Sequence, residues 1–172
     1  MCPARVFWVV INVADELFLA WVAGFFDGEG SVIVEYSKSP ESSRGWRTSL
    51  HATLTQTSLP CLELVQSRLG GTIKTSDNRT ADTRRWAVQY TWSVRNKNAI
   101  EFLQKIQPYS VVKKEQIDLA LTYPMFDNRG KKYGNKGNPI PDDVWSKRIE
   151  IKDGLKSIRA NMKTAARVRC NA

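Results

Sequence analysis

Between Leu19 and Ser37 the sequence LAWVAGFFDGEGSVIVEYS changes its period in the middle, and few folds accept such a change. From about Asp15 to Gly28, apolar Phe18, Val22 and Phe26 recur at four-residue spacing, which marks one face of a helix. From Ser31 to Lys38 the period becomes two, with Val32, Val34 and Tyr36 on one side and Ser31, Ile33, Glu35 and Ser37 on the other. A strand must therefore leave almost directly from the end of a buried helix. The helix has its own oddity. Gly24 and Gly28 each cost about 1 kcal/mol relative to alanine in a helix interior, and Asp27 and Glu29 set carboxylates beside an apolar run.

The remaining elements follow from similar signals. SPESSRG reads as a turn, and a second strand runs from about Trp46 to Gln56, with Leu50, Ala52 and Leu54 alternating with Ser49, His51, Thr53 and Thr55. Thr57 or Ser58 as N-cap, Pro60 in the first turn, apolar Leu62, Val65 and Leu69, and Gly70 at the end predict a short helix. GTIKTS is a third strand. In the fourth, Trp86, Val88, Tyr90, Trp92 and Val94 alternate with Arg85, Ala87, Gln89, Thr91, Ser93 and Arg95. Asn96 is the expected cap of a helix with Ile100, Leu103 and Ile106, closed by Pro108, and VVKKEQIDLALTY supplies another helix up to Pro124. After the Gly, Asn and Lys rich loop DNRGKKYGNKGNPIP, Pro141 opens a last helical region, interrupted at Gly154 and basic from Lys156 through Arg159, Lys163, Arg167 and Arg169. The order predicts an α+β fold, a four-stranded, mostly antiparallel sheet with helices on one face and the other face open.

Composition narrows the function. The 172 residues suit one domain, and 26 Lys and Arg against 17 Asp and Glu, for a net charge of +9, point to a polyanionic partner. The outward residues Ser49, His51, Thr53, Lys74, Arg85, Gln89, Thr91 and Arg95 form a polar sheet face of the kind that reads a DNA major groove, against the plainer reading of a solvated face. Cys2, Cys61 and Cys170 lack disulfide or zinc spacing and suit a reducing, intracellular setting. No apolar run reaches the ~18 residues of a membrane span, and a signal peptide after Arg5 is the lesser alternative.

Trp21, Gly24 and Gly28 share a stripe distinct from the Phe18, Val22 and Phe26 face. Two readings are open. The glycines either let a second helix approach, which with no internal repeat means the same helix of a second copy, or make room for a bulky neighbour in the chain's own core. In the first reading two Glu29 carboxylates meet near a two-fold axis, where the backbone carbonyl of Gly28 and scissile phosphates complete an oxygen site for a hard divalent cation.

VAGFFDGEGS, Val22 to Ser31, closely resembles the signature of the LAGLIDADG homing endonucleases, and the element order over roughly Asp15 to Tyr123 resembles that family's αββαββα core. The resemblance implies a saddle-like antiparallel sheet and a single endonuclease domain over residues 1–172, with the core at about 15–123 and a basic loop and C-terminal helices at about 127–172. It implies a Mg²⁺-dependent enzyme, with Mn²⁺ or Ca²⁺ as substitutes in binding, that cuts both strands of double-stranded DNA. One signature copy is similar to the homodimeric branch, which reads palindromic or pseudo-palindromic sites. Glu29 takes the place of the catalytic, metal-binding acid, with glutamate for the commoner aspartate, and Gly28 contributes its carbonyl. Asp27 matches the earlier acid of the signature, a support for the helix ends, and joins Trp21, Gly24 and Gly28 at the dimer interface.

LTQTS nominates Gln56 to position the attacking water, and QPYSVVKKEQ nominates Lys113 beside the cleaved phosphate, with Lys114 in its place if the register is shifted by one. Expected DNA contacts are Ser31, Ile33, Glu35, Ser37, Arg47, Ser49, His51, Thr53, Lys74, Ser76, Arg85, Gln89, Thr91 and Ser93, with Lys131, Lys132 and Lys136 reaching phosphates or merely solvated. Strands of about seven residues at ~3.3 Å each span about seven base pairs per half-site, and loops that extend each half-site bring the whole to about twenty. The rival reading is a non-cleaving maturase, with intron RNA as partner, or a DNA-binding regulator on the same fold. The host setting implied is an organelle or a prokaryotic cytoplasm.

Overall fold

The computed structural model describes residues 13–76, 87–125 and 140–170, with side chains as far as Met162. Helix α1 (Val13–Glu29) runs without a break into strand β1 (Gly30–Lys38), and β2 (Trp46–Gln56) returns antiparallel to it. Helix α2 (Leu59–Leu69), strands β3 (Thr72–Ser76) and β4 (Gln89–Arg95) and helix α3 (Lys97–Ile106) follow. One 3-10 turn (Gln107–Tyr109), α4 (Lys114–Leu121) and α5 (Asp142–Cys170) complete the order. The sheet order is β1-β2-β4-β3, all neighbours antiparallel. Among the described residues no helix is long and apolar enough to cross a membrane.

Gly30 makes the abrupt helix-to-strand junction possible. A β-carbon there would sit 2.4 Å from the Phe26 ring and 2.5 Å from the Phe26 carbonyl, so only a glycine lets β1 fold back over the last turn of α1. The period-two pattern then sorts the sheet. Val32, Val34, Leu50, Ala52, Leu54, Trp92 and Val94 are buried under the helices with Val22, Ala23 and Phe26 of α1. Phe102 of α3 meets the rings of Phe26 and Trp92 edge-on, at 5.3 and 4.9 Å, and Trp92 donates its indole N–H to the Gly70 carbonyl at 2.7 Å. The aromatic stripe of β4 is thus core at Trp92 and half-buried at Tyr90, while Trp86 lies outside the described residues.

Four sequence expectations are corrected here. Asn96 does not cap α3 with its side chain. It turns the chain at φ 49°, and its Oδ1 instead accepts from Ser49 Oγ at 3.0 Å and Leu50 N at 3.2 Å, which ties the corner to β2. Strand β4 begins at Gln89, so Ala87 and Val88 precede it. Helix α4 begins at Lys114, which leaves Val111, Val112 and Lys113 in a non-helical bend. Gly154 does not interrupt the last helix: α5 passes through it, and a β-carbon there would lie 2.8 Å from Leu119 Cδ2, so the glycine brings α5 close to α4.

Candidate active site and nucleic-acid interface

Both acids of the signature stand at the C-terminal end of α1, where unpaired carbonyls already make the potential negative, and no basic residue occupies the last turn. Each needs compensation. Asp27 finds it within the chain: its carboxylate accepts from Ser110 Oγ (2.5 Å) and from the backbone N–H groups of Val111 (2.7 Å), Val112 (2.9 Å) and Lys113 (3.0 Å). Burial alone would push the Asp27 carboxyl up, yet these four donors together hold it below its ordinary value. Lys113 closes the clamp by donating from Nζ to the Asp27 carbonyl. Burial pulls the Lys113 ammonium below the usual lysine range, and the negative charges of Asp27 and Glu29 offset part of that pull.

Glu29 has no such partners. It is exposed and makes no hydrogen bond among the described residues, with the Lys113 charge as its electrostatic neighbour. Beside it Gly28 is exposed too. Strand β2 runs two residues past Leu54, which pairs with Gly30, so Gln56 comes to the same end of the sheet as Glu29. There the Gln56 Oε1 accepts from Thr57 N at 2.7 Å and Thr57 Oγ1 at 3.1 Å. Among the described residues no three His, Cys, Asp or Glu side chains gather into a metal cage. What the described residues offer is the Glu29 carboxylate and helix-end carbonyls, oxygen donors of the kind a hard divalent ion takes but too few to hold one by themselves.

The stripe on α1 is open. Among the described residues, a β-carbon at Gly24 or at Gly28 would meet nothing within 4 Å, so neither glycine makes room for a described core neighbour. Val13 and Leu17, both 67% exposed, and Trp21, 41% exposed, continue the same side of the helix. An apolar helix face interrupted by glycines therefore ends at Glu29.

The open sheet face carries the expected polar residues in register. Ser31 stands opposite Thr53, Ile33 opposite His51, Glu35 opposite Ser49 and Ser37 opposite Arg47. His51 pairs with Arg95, Thr53 with Ser93, Lys74 with Thr91 and Ser76 with Gln89. Thirteen of the fourteen expected contact residues thus share one face, and Arg85 lies outside the described residues, as do Lys131, Lys132 and Lys136. His51 differs from its expected exposure: it is only 6% exposed, with Nε2 at 2.9 Å from Glu35 Oε2. Burial, followed by the charge of Arg95, holds the imidazole below its ordinary value of 6.5. Neither the Asp27 clamp nor the Glu35–His51 contact was read from the sequence. The clamp joins residues 83 to 86 positions apart, which no local spacing encodes.

The sequence model of the LAGLIDADG endonucleases matches residues 22–132, from the signature through α4. No curated protein sequence matches the chain. The homing endonuclease I-CvuI, in complex with its target (Sro1.3) in the presence of 2 mM Ca, is similar with a TM-score of 0.63 at 21% identity, over 84% of this chain and 83% of that one. With the I-CreI target and 2 mM Mg, DNA not cleaved, I-CvuI is similar at a TM-score of 0.55 and 25% identity, over 65% and 68% of the two chains. The archaeal intron-encoded homing endonuclease I-Vdi141I, complexed with DNA, is similar at 0.51 and 24% identity, over 62% and 65%.

Proposed function

The chain belongs to the LAGLIDADG endonuclease family, and on that premise we propose that it is a homodimeric, site-specific homing endonuclease hydrolysing both strands of a palindromic or pseudo-palindromic DNA site. One observation carries the reading: the glycine stripe of α1, open among the described residues, runs to the helix end that bears Glu29, whose carboxylate has no hydrogen-bond partner among them. Packing Trp21, Gly24 and Gly28 against the same residues of a second copy brings two Glu29 side chains together, as a two-fold interface requires. Asp27, bound within its own chain, fixes the helix end from which both project.

Glu29 and the Gly28 carbonyl would hold Mg²⁺, with Mn²⁺ or Ca²⁺ as alternatives in binding; such an ion would polarise a water for attack and neutralise charge on the leaving oxygen. The neighbours crystallised with Ca and Mg support divalent-ion use. Gln56 would orient the attacking water by hydrogen bonding. Lys113 would stabilise charge on the pentacoordinate phosphorus, and its restraint by the Asp27 carbonyl keeps the ammonium near the acids without an aligned pair to either. The basic, polar sheet would lie along the major groove, with Ser31, Thr53, Gln89 and Thr91 among the side chains facing base edges and Arg47 and Lys74 among those facing phosphates.

The test is a cleavage assay on a site selected from a randomised palindrome library. Wild type with Mg²⁺ is expected to cut both strands and to stop when the metal is chelated. Glu29→Gln is expected to bind the site with near wild-type affinity and to lose cutting by at least about a thousandfold, the scale of removing one main electrostatic group. Cutting retained by Glu29→Gln, or a wild type that binds without ever cutting, contradicts the reading.

A further inference from the structure

The open sheet face is basic, with Arg47, Lys74 and Arg95 around its middle, yet it carries one acid among the described strand residues, Glu35. A carboxylate there opposes every phosphate and weakens non-specific binding. Its surroundings hold it in place. Glu35 is on β1, opposite Ser49 and diagonal to His51, with Oε2 at 2.9 Å from His51 Nε2. The approach lacks the alignment of a hydrogen bond, so Nε2 has the Glu35 contact but no hydrogen-bond partner among the described residues, on a residue more than nine-tenths buried and on the face where nucleic acid would dock. Glu35 itself keeps a side chain that is 42% exposed.

Building on the endonuclease reading, we propose that Glu35 is a specificity-determining residue that selects cytosine at one position in each half-site, backed by His51. The chemistry of the groove singles out that base. An ionised carboxylate only accepts hydrogen bonds, so it is repelled by O6 and N7 of guanine and by O4 of thymine. Adenine offers its N6 donor beside the N7 acceptor, whereas cytosine offers the N4 donor without an adjacent acceptor. His51 is buried beside the carboxylate, and burial and the charge of Arg95 hold its imidazole below the ordinary value against the opposing charge of Glu35. The fold also sets the position. Glu35 lies five residues beyond Gly30, about 17 Å along β1 at ~3.3 Å per residue, which corresponds to about five base pairs outward from the level of the helix end.

The experiment is affinity selection of duplexes from a randomised palindrome library, with Ca²⁺ present to permit binding without cutting, on wild type and on Glu35→Gln. Wild type is expected to enrich cytosine at one position per half-site, about five base pairs from the centre-proximal end of the protein footprint. Glutamine, which donates and accepts, pairs with N6 and N7 of adenine, so the variant is expected to switch that letter to adenine by roughly tenfold and leave the other letters unchanged. The side chain is isosteric and partly exposed, and near-identical circular dichroism checks the fold. Identical base preferences for the two proteins overturn the proposal and leave the endonuclease reading intact. Failure of wild type to enrich any sequence overturns both.

Discussion

At the scale of single residues, two carboxylates two positions apart have opposite surroundings. Asp27 is enclosed by four donors, whereas the Glu29 carboxylate accepts no hydrogen bond among the described residues and lies within the field of Lys113. Replacing Asp27 by Asn turns an amide N–H₂ toward backbone donors, so some of the part-buried or exposed N–H groups of Val111, Val112 and Lys113 lose their acceptor, at a cost of about 1 kcal/mol. Urea denaturation at neutral pH is expected to show that loss. The pH dependence has a definite sign. Because the native Asp27 value lies below its ordinary 3.8, its contribution is present above that value and is lost as pH falls through the lowered native one. The gap between wild type and Asp27→Asn is therefore expected to close in acid, and a gap that is constant down to about pH 2 contradicts the clamp. The sequence made both acids visible as anomalies, but their different tasks depend on Ser110 to Lys113, a segment whose arrival at α1 is a product of the whole chain's path.

Among elements, α1 and β1 were legible because each obeys a single period, and the switch between periods falls at the glycine that the junction requires. The strands were legible wherever one face was buried, as at Leu50, Ala52 and Leu54, since alternation then follows burial directly. Gly154 misled because intrinsic propensity penalises a helical glycine, while the close approach of Leu119 rewards it. Asn96 misled for a related reason: its side chain had two hydrogen-bonding options, and β2, distant in sequence, supplied the better one. The α1 stripe is ambiguous in the sequence, since spacing does not say what covers it; among the described residues it is open, and it carries its own prediction. Gly24→Leu places its Cβ where no described atom stands within 4 Å and improves helix propensity by about 1 kcal/mol, so the protomer is expected to fold with unchanged helix content. The same variant is expected to sediment as a single chain and to lose double-strand cutting. Wild-type self-association in Gly24→Leu would show that the stripe is not the packing surface.

For the whole molecule, the sheet and the helix end become one device only if two copies meet. In the proposed assembly each chain supplies one sheet face and one Glu29 carboxylate, which alone is too little oxygen for a cation and too short a surface for a long site. Two chains supply a continuous face, a pair of acids and the symmetry of a palindrome. The net charge of +9 per chain supports this assembly on DNA, where phosphates offset the mutual repulsion of two basic copies. Sedimentation velocity of the protein on its selected duplex, with Ca²⁺ in place of Mg²⁺, measures this most directly. Two 19.5 kDa chains per duplex are the predicted stoichiometry, and a saturated complex holding one chain would contradict the shared site at Glu29.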